Sequence, residues 1–152
     1  LYRVVAANWK VLSAQAATQK PQGEATTTLT ATFRVQVVAQ KGDVYIPRSN
    51  AFGASTTGAT STDMGSPNVT AVSGVDNSDT TYFIVRNGNT GVFDVNFALH
   101  PSSWGMTSGG FVSVVLKFMT WDNDTDTTNQ MTTNFPGTVQ TNTQTTAVFL
   151  TP

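Results

Sequence analysis

From Thr28 to Val38 the chain alternates strictly, with Leu29, Ala31, Phe33, Val35 and Val37 on one phase and Thr30, Thr32, Arg34 and Gln36 on the other. A period of two puts these sets on opposite faces of a strand, one dry and one wet, and no helix accommodates it. The alternation returns at Phe93, Val95, Phe97 and Leu99, set against Asp94, Asn96 and Ala98. A slip of one residue there would turn all four apolar side chains to water, so the pairing register is strongly specified. Half-buried strands of this kind need a second layer over the dry face.

The remaining segments follow from turn and breaker chemistry. Val44-Tyr45-Ile46 is a short strand stopped by Pro47, which has no N–H to give to a ladder and suits an edge. Residues 48–67 are Gly, Ser, Thr and Ala with Phe52 and Met64 as anchors, and read as a long surface excursion. Thr81 to Arg86 and Val92 to Leu99 flank Asn87-Gly88, the signature of a β-hairpin turn. Phe111 to Trp121 is apolar on both phases, so it is a central strand covered on both faces or one whose second face meets another subunit. A last strand lies within Val139 to Leu150, after the turn Pro136-Gly137. Leu1 to Lys20 leaves two readings open: Leu1, Val4, Val5, Trp9 and Leu12 share a helical face, while Tyr2-Arg3-Val4-Val5 fits an extended strand. About five to eight strands without an interior helix make an all-β chain. The expected fold is an antiparallel β-sandwich, immunoglobulin-like or jelly roll, over residues 21–152, with an N-terminal extension over residues 1–20. A barrel is the lesser option.

Composition narrows the function. The 152 residues carry 8 Lys and Arg against 9 Asp and Glu, a net charge of -1, so no electrostatic drive toward nucleic acid or an anionic membrane exists. No apolar run is long enough for a membrane-inserted helix. With no Cys, disulfides, thiol catalysis and zinc fingers are excluded together. The chain opens on Leu1 and not Met, as a processed or excised chain would.

Catalytic constellations are thin. The single His, His100, sits in Leu99-His100-Pro101-Ser102-Ser103 without a nucleophile-elbow motif, and Glu24 is the sole Glu. The chain is therefore not expected to be an enzyme. The sharpest cluster is Trp121-Asp122-Asn123-Asp124-Thr125-Asp126, in which Asp122, Asp124 and Asp126 at alternate positions suit a hard cation such as calcium. A helix-loop-helix calcium loop would next place Gly at 127 and a carboxylate at 133, where Thr127 and Thr133 stand, so any site of this kind is completed by backbone carbonyls. Trp104 and Trp121 are candidates for a sugar-stacking platform. Asn68-Val69-Thr70 and Asn123-Asp124-Thr125 match the acceptor pattern for glycosylation at Asn68 and Asn123. Lys10 and Lys117 are the candidates for an internal isopeptide bond in a Cys-free chain.

Through Ala31-Thr32-Phe33-Arg34-Val35-Gln36-Val37, Gly42-Asp43-Val44-Tyr45-Ile46-Pro47, the Asn-Gly turn and the Phe111 to Trp121 strand, the chain resembles immunoglobulin-like β-sandwich domains of prokaryotic cell-surface proteins, S-layers and filament subunits. The resemblance implies an extracellular, structural, non-catalytic role at the cell surface. A fainter similarity is to viral capsid or decoration proteins. The preferred expectation is a self-assembling filament, pilus or surface-layer subunit that docks its N-terminal segment, through Leu1, Val4, Val5, Trp9 and Leu12, onto a neighbouring copy to form a homopolymer. On that reading, removing Leu1 to Lys20 leaves a soluble monomer. The runner-up is a carbohydrate-binding or adhesin module that recognises a glycan through Trp104 and Trp121.

Overall fold

The computed structural model describes residues 5–19, 28–57, 65–99, 110–124, 130–134 and 144–149. Among them the chain is all-β, with antiparallel pairing throughout and no helix. The strands in chain order are β1 (Ala6–Gln19), β2 (Thr28–Gln40), β3 (Val44–Pro47), β4 (Phe52–Thr57), β5 (Asn68–Ser73), β6 (Tyr82–Val85), β7 (Thr90–Leu99), β8 (Gly110–Trp121), β9 (Met131–Asn134) and β10 (Gln144–Phe149). One sheet runs β1-β2-β7-β5, a second runs β10-β8-β4 with β9 also on β8, and β3 pairs with β6. Strand β10 also comes against β1, so an edge of each larger sheet meets the other there.

Strand β2 delivers its alternation intact. Ala31, Phe33, Val35, Val37 and Ala39 are all fully buried, and Arg34 is exposed. On β7, Phe93, Val95 and Phe97 are buried in turn, and they lie opposite Val35, Phe33 and Ala31. The rings of Phe33 and Phe97 meet edge to face at 5.9 Å, a geometry worth about 0.5–1.5 kcal/mol beyond the area it buries. On the wet face Arg34 makes two parallel bonds to Asp94, at 2.8 and 3.0 Å, directly across the ladder.

Three strands carry a residue too many. In β1 the register jumps between Val11 and Ser13, in β5 between Ala71 and Ser73, and β8 slips by one against Gly53 and Ala54 of β4. Each jump is a β-bulge, which leaves one residue without an opposite number and reverses the inward phase beyond it. The exposed large apolar residues sit at these defects: Leu12 at 38%, Val72 at 44% and Phe118, beside the bulge in β8, at 36%. The bulge also explains the two apolar phases of β8. Val114 and Leu116 point inward before Lys117, Met119 and Trp121 after it, so the buried phase changes at the bulge. The strand is nonetheless central in its sheet, with β4 on one edge and β10 then β9 along the other.

Two expectations are corrected. Residues 48–67 are not wholly a surface excursion, because β4 lies within them and Ala51 and Phe52 are buried in the core. The Asn87-Gly88 turn exists, closed by the Asn89 N–H on the Arg86 carbonyl at 2.9 Å, but β6 and β7 do not pair. A tight hairpin turn of the favoured kind needs positive φ at both central residues, and only Gly88, at +81°, has it. That is the pattern of a type II turn, which splays its strands into different sheets. Ile84 of β6 instead exchanges backbone bonds with Asp76, at 2.8 and 3.1 Å.

The bulge in β8 predicts an asymmetry between substitution and deletion. Lys117→Ala should change stability by less than about 0.5 kcal/mol. Deleting Lys117 itself only removes the bulge, since Val114, Leu116, Met119 and Trp121 then alternate and all stay inward, whereas deleting Val115 turns Leu116 outward and Lys117 inward and should cost more than about 3 kcal/mol in urea unfolding.

Candidate functional site

The N-terminal segment is the first candidate. Ala6–Gln19 is strand, which closes the helical alternative, and it runs antiparallel to β2 of the same chain from Ala6 opposite Gln40 to Gln19 opposite Thr28. Val11 is fully buried, and Val5, Ala7, Trp9 and Ala14 pack against the same core. The five apolar residues expected to dock therefore divide. Val5 and Trp9 serve the chain's own core, Leu12 is the exposed bulge residue, and Leu1 and Val4 lie outside the described residues. The segment is not set apart from the sheet pattern, as the sequence suggested; its alternation is hidden by the bulge at Leu12. Its removal would strip β2 of a ladder and uncover the row that includes Phe33, Val35 and Val37, so a soluble monomer is no longer the expected product.

The acidic turn is the second. Where β8 ends, Tyr45 and Asp122 exchange backbone hydrogen bonds, each 2.8 Å, tying β8 to β3. Asp122 is 0% exposed. Its Oδ1 accepts the N–H groups of Asn123 at 2.7 Å and Asp124 at 3.4 Å, and its Oδ2 is buried without a hydrogen-bond partner. Leaving such an acceptor unsatisfied costs about 1–3 kcal/mol or more. Asp124 is exposed, and Asp126 lies outside the described residues. Among the described residues no three His, Asp or Glu side chains gather as a metal-binding group.

Trp121 is 6% exposed, and its indole N–H donates to the Thr133 hydroxyl across the β8–β9 ladder at 2.9 Å. Its face is given to the core and not to a sugar, which removes half of the stacking platform; Trp104 and His100 lie outside the described residues. Asn68, on the edge strand β5, and Asn123 are both exposed. Lys10 and Lys117 are exposed too, away from the buried surroundings an isopeptide bond requires.

Sequence reasoning missed an ion cluster that pins the β6–β7 corner. Arg86 reaches Asp43 at 2.8 Å and Asp76 at 2.7 Å, while Asp43 also accepts the Asn87 N–H at 2.8 Å. Hydrogen bonds from Ser78, then Arg86, hold the Asp76 carboxyl down to about 2, and those from Asn87 and Arg86 lower Asp43. Beside it the Arg48 guanidinium caps the Phe83 ring at 4.4 Å and donates to the Asp79 carbonyl. The only signal in the sequence was the Asp that precedes Val44 and the Arg that precedes Asn-Gly, neither of which announces a partner.

Because Asp76 titrates lower in the fold than its ordinary 3.8, protons favour the unfolded chain. Its contribution is complete above pH 3.8 and disappears as the pH falls through about 2. Asp76→Asn should therefore lower the urea midpoint by its full effect at every pH above 3.8 and by progressively less as the pH falls through about 2, which flattens the acid limb by that same amount; the whole effect is small because the pair is largely solvated. Set beside known proteins, the chain finds no counterpart: no family model, no curated protein and no solved structure matches it.

Proposed function

We propose that this chain is a structural subunit of an extracellular filament or surface layer, a β-sandwich of immunoglobulin-like or jelly-roll kind that assembles by lending β1 to the β2 edge of a neighbouring copy. One observation carries the reading: β1 lies at a sheet edge and has β2 as its ladder partner along its whole length. A strand so placed leaves and re-enters by breaking and remaking one ladder. Every bond it makes to its own β2, bulge included, is available from the β1 of another copy. Simple addition of one sheet edge to another fits less well. Both edges of the four-stranded sheet are bulged, at Leu12 and at Val72, and bulges interrupt a continuous new ladder. The charge-poor exterior suits close-packed copies.

A Cys-free chain allows a clean test. Lys10 and Gln36 face each other across the β1–β2 ladder, and directly opposite residues fall within disulfide range. The double variant Lys10→Cys, Gln36→Cys, refolded at rising concentration and then oxidised, should give covalent multimers on a non-reducing gel, in proportions that grow with concentration. Only cross-linked monomer at every concentration means that β1 stays at home and the assembly reading fails.

A further inference from the structure

We propose that the end of β8 holds a hard divalent cation, calcium by its chemistry, between the carboxylates of Asp122 and Asp124. The proposal goes beyond the assembly reading and does not depend on it. Asp122 is the one polar or charged residue fully buried among the described residues, and its Oδ2 has no hydrogen-bond partner. Protein interiors rarely leave a carboxylate oxygen in that state, because the charge has surrendered its water and received nothing in exchange. The oxygen has no easy route back to solvent. The backbone of Asp122 is locked to Tyr45 by two bonds, and Oδ1 is held by the N–H groups of Asn123 and Asp124. Those bonds bring the backbone of Asp124 to 3.4 Å from the Asp122 carboxylate, and Asp124 is itself an exposed carboxylate two residues on.

The donor set chooses the cation. Both side chains offer oxygen and the chain has no Cys, which disfavours zinc and other soft ions. Magnesium demands a regular octahedron and parts reluctantly with its water, whereas calcium accepts irregular coordination completed by carbonyls and solvent. Bound there, the cation would neutralise the orphaned oxygen and stiffen the junction at which β8 is stitched to β3 through Asp122 and Tyr45.

The test uses the full chain stripped with a chelator and titrated with terbium, which substitutes for calcium and emits when excited through a nearby indole; Trp121 precedes Asp122 directly. The expected result is sensitised emission saturating at one ion per chain, displaced by calcium but not by equal magnesium. Calcium at millimolar concentration should also raise the melting temperature of the stripped chain. Asp124→Asn, a change at an exposed residue, should weaken terbium and calcium binding at least tenfold, and Asp122→Asn should abolish it. If Asp122→Asn fails to fold, Asp124→Asn decides alone. No emission and no calcium-dependent melting shift would overturn the proposal, as would emission that survives unchanged in folded Asp124→Asn.

Discussion

Strand β2 is the member on which the rest of the structure depends, because it is paired on both edges and dry on one whole face. Its neighbours β1 and β7 are set against it in registers that align Val11, Val35 and Phe93 in one row and Ala14, Phe33 and Val95 in the next. Five consecutive inward positions of β2 are fully buried, from Ala31 to Ala39. Val114, Leu116, Met119 and Trp121 of β8 belong to the same core cluster, and so do Val44, Ile46 and Phe83 of the small β3–β6 pair. Without this strand the two larger sheets would have no common surface to close upon. Its outer face adds direction more than energy: the Arg34–Asp94 pair is half-exposed and worth little in itself, yet it marks the register.

What was legible in the sequence follows from where that period of two runs unbroken. Strands β2 and β7 have no register shift against each other, and their inward residues were readable one by one. Strands β1, β5 and β8 each carry a bulge, and a bulge mixes the two phases. In β1 the mixture imitates a helical face; in β8 it imitates a strand covered on both sides. Nothing in Lys117 or Leu12 distinguishes a bulge residue from any other, since the defect is defined by the partner strand. Strand β4 escaped notice for a different reason. Its inward anchor is Phe52, beside buried Ala51, and the rest of the segment has the composition of a loop.

The corner between β6 and β7 shows how local chemistry can be read correctly and still mislead. Asn-Gly does make the turn, but whether the strands beyond it pair depends on what else competes for their edges. Ile84 is held by Asp76 from outside, and the turn's own groups are taken up by β2, with the Gly88 N–H on the Ala39 carbonyl and the Ala39 N–H on the Asn89 carbonyl. Arg86 and Asp43 then fix the corner from the solvent side. The acidic turn divides in the same way. Its residue types were visible in the sequence, but the burial of Asp122 was not, because that follows from a backbone bridge to Tyr45, distant in the chain.

A chain that contains both β1 and the edge β1 fills has two ways of satisfying the same ladder. The closed form and the exchanged form share their hydrogen bonds and their bulge, so contact energy hardly separates them. Concentration does. A strand tethered by the short stretch from Lys20 to Thr27 meets its own edge at an effective concentration on the order of millimolar, and a neighbour must match that to compete. On the proposed assembly reading, dilute chains therefore close upon themselves, while copies crowded on a surface or at a growing end exchange β1. Bulges on both edges of the sheet sharpen that choice by interrupting the indiscriminate edge-to-edge contacts that would otherwise intervene. On that reading what remains is a single, register-specific exchange, the kind of step that order in a polymer requires.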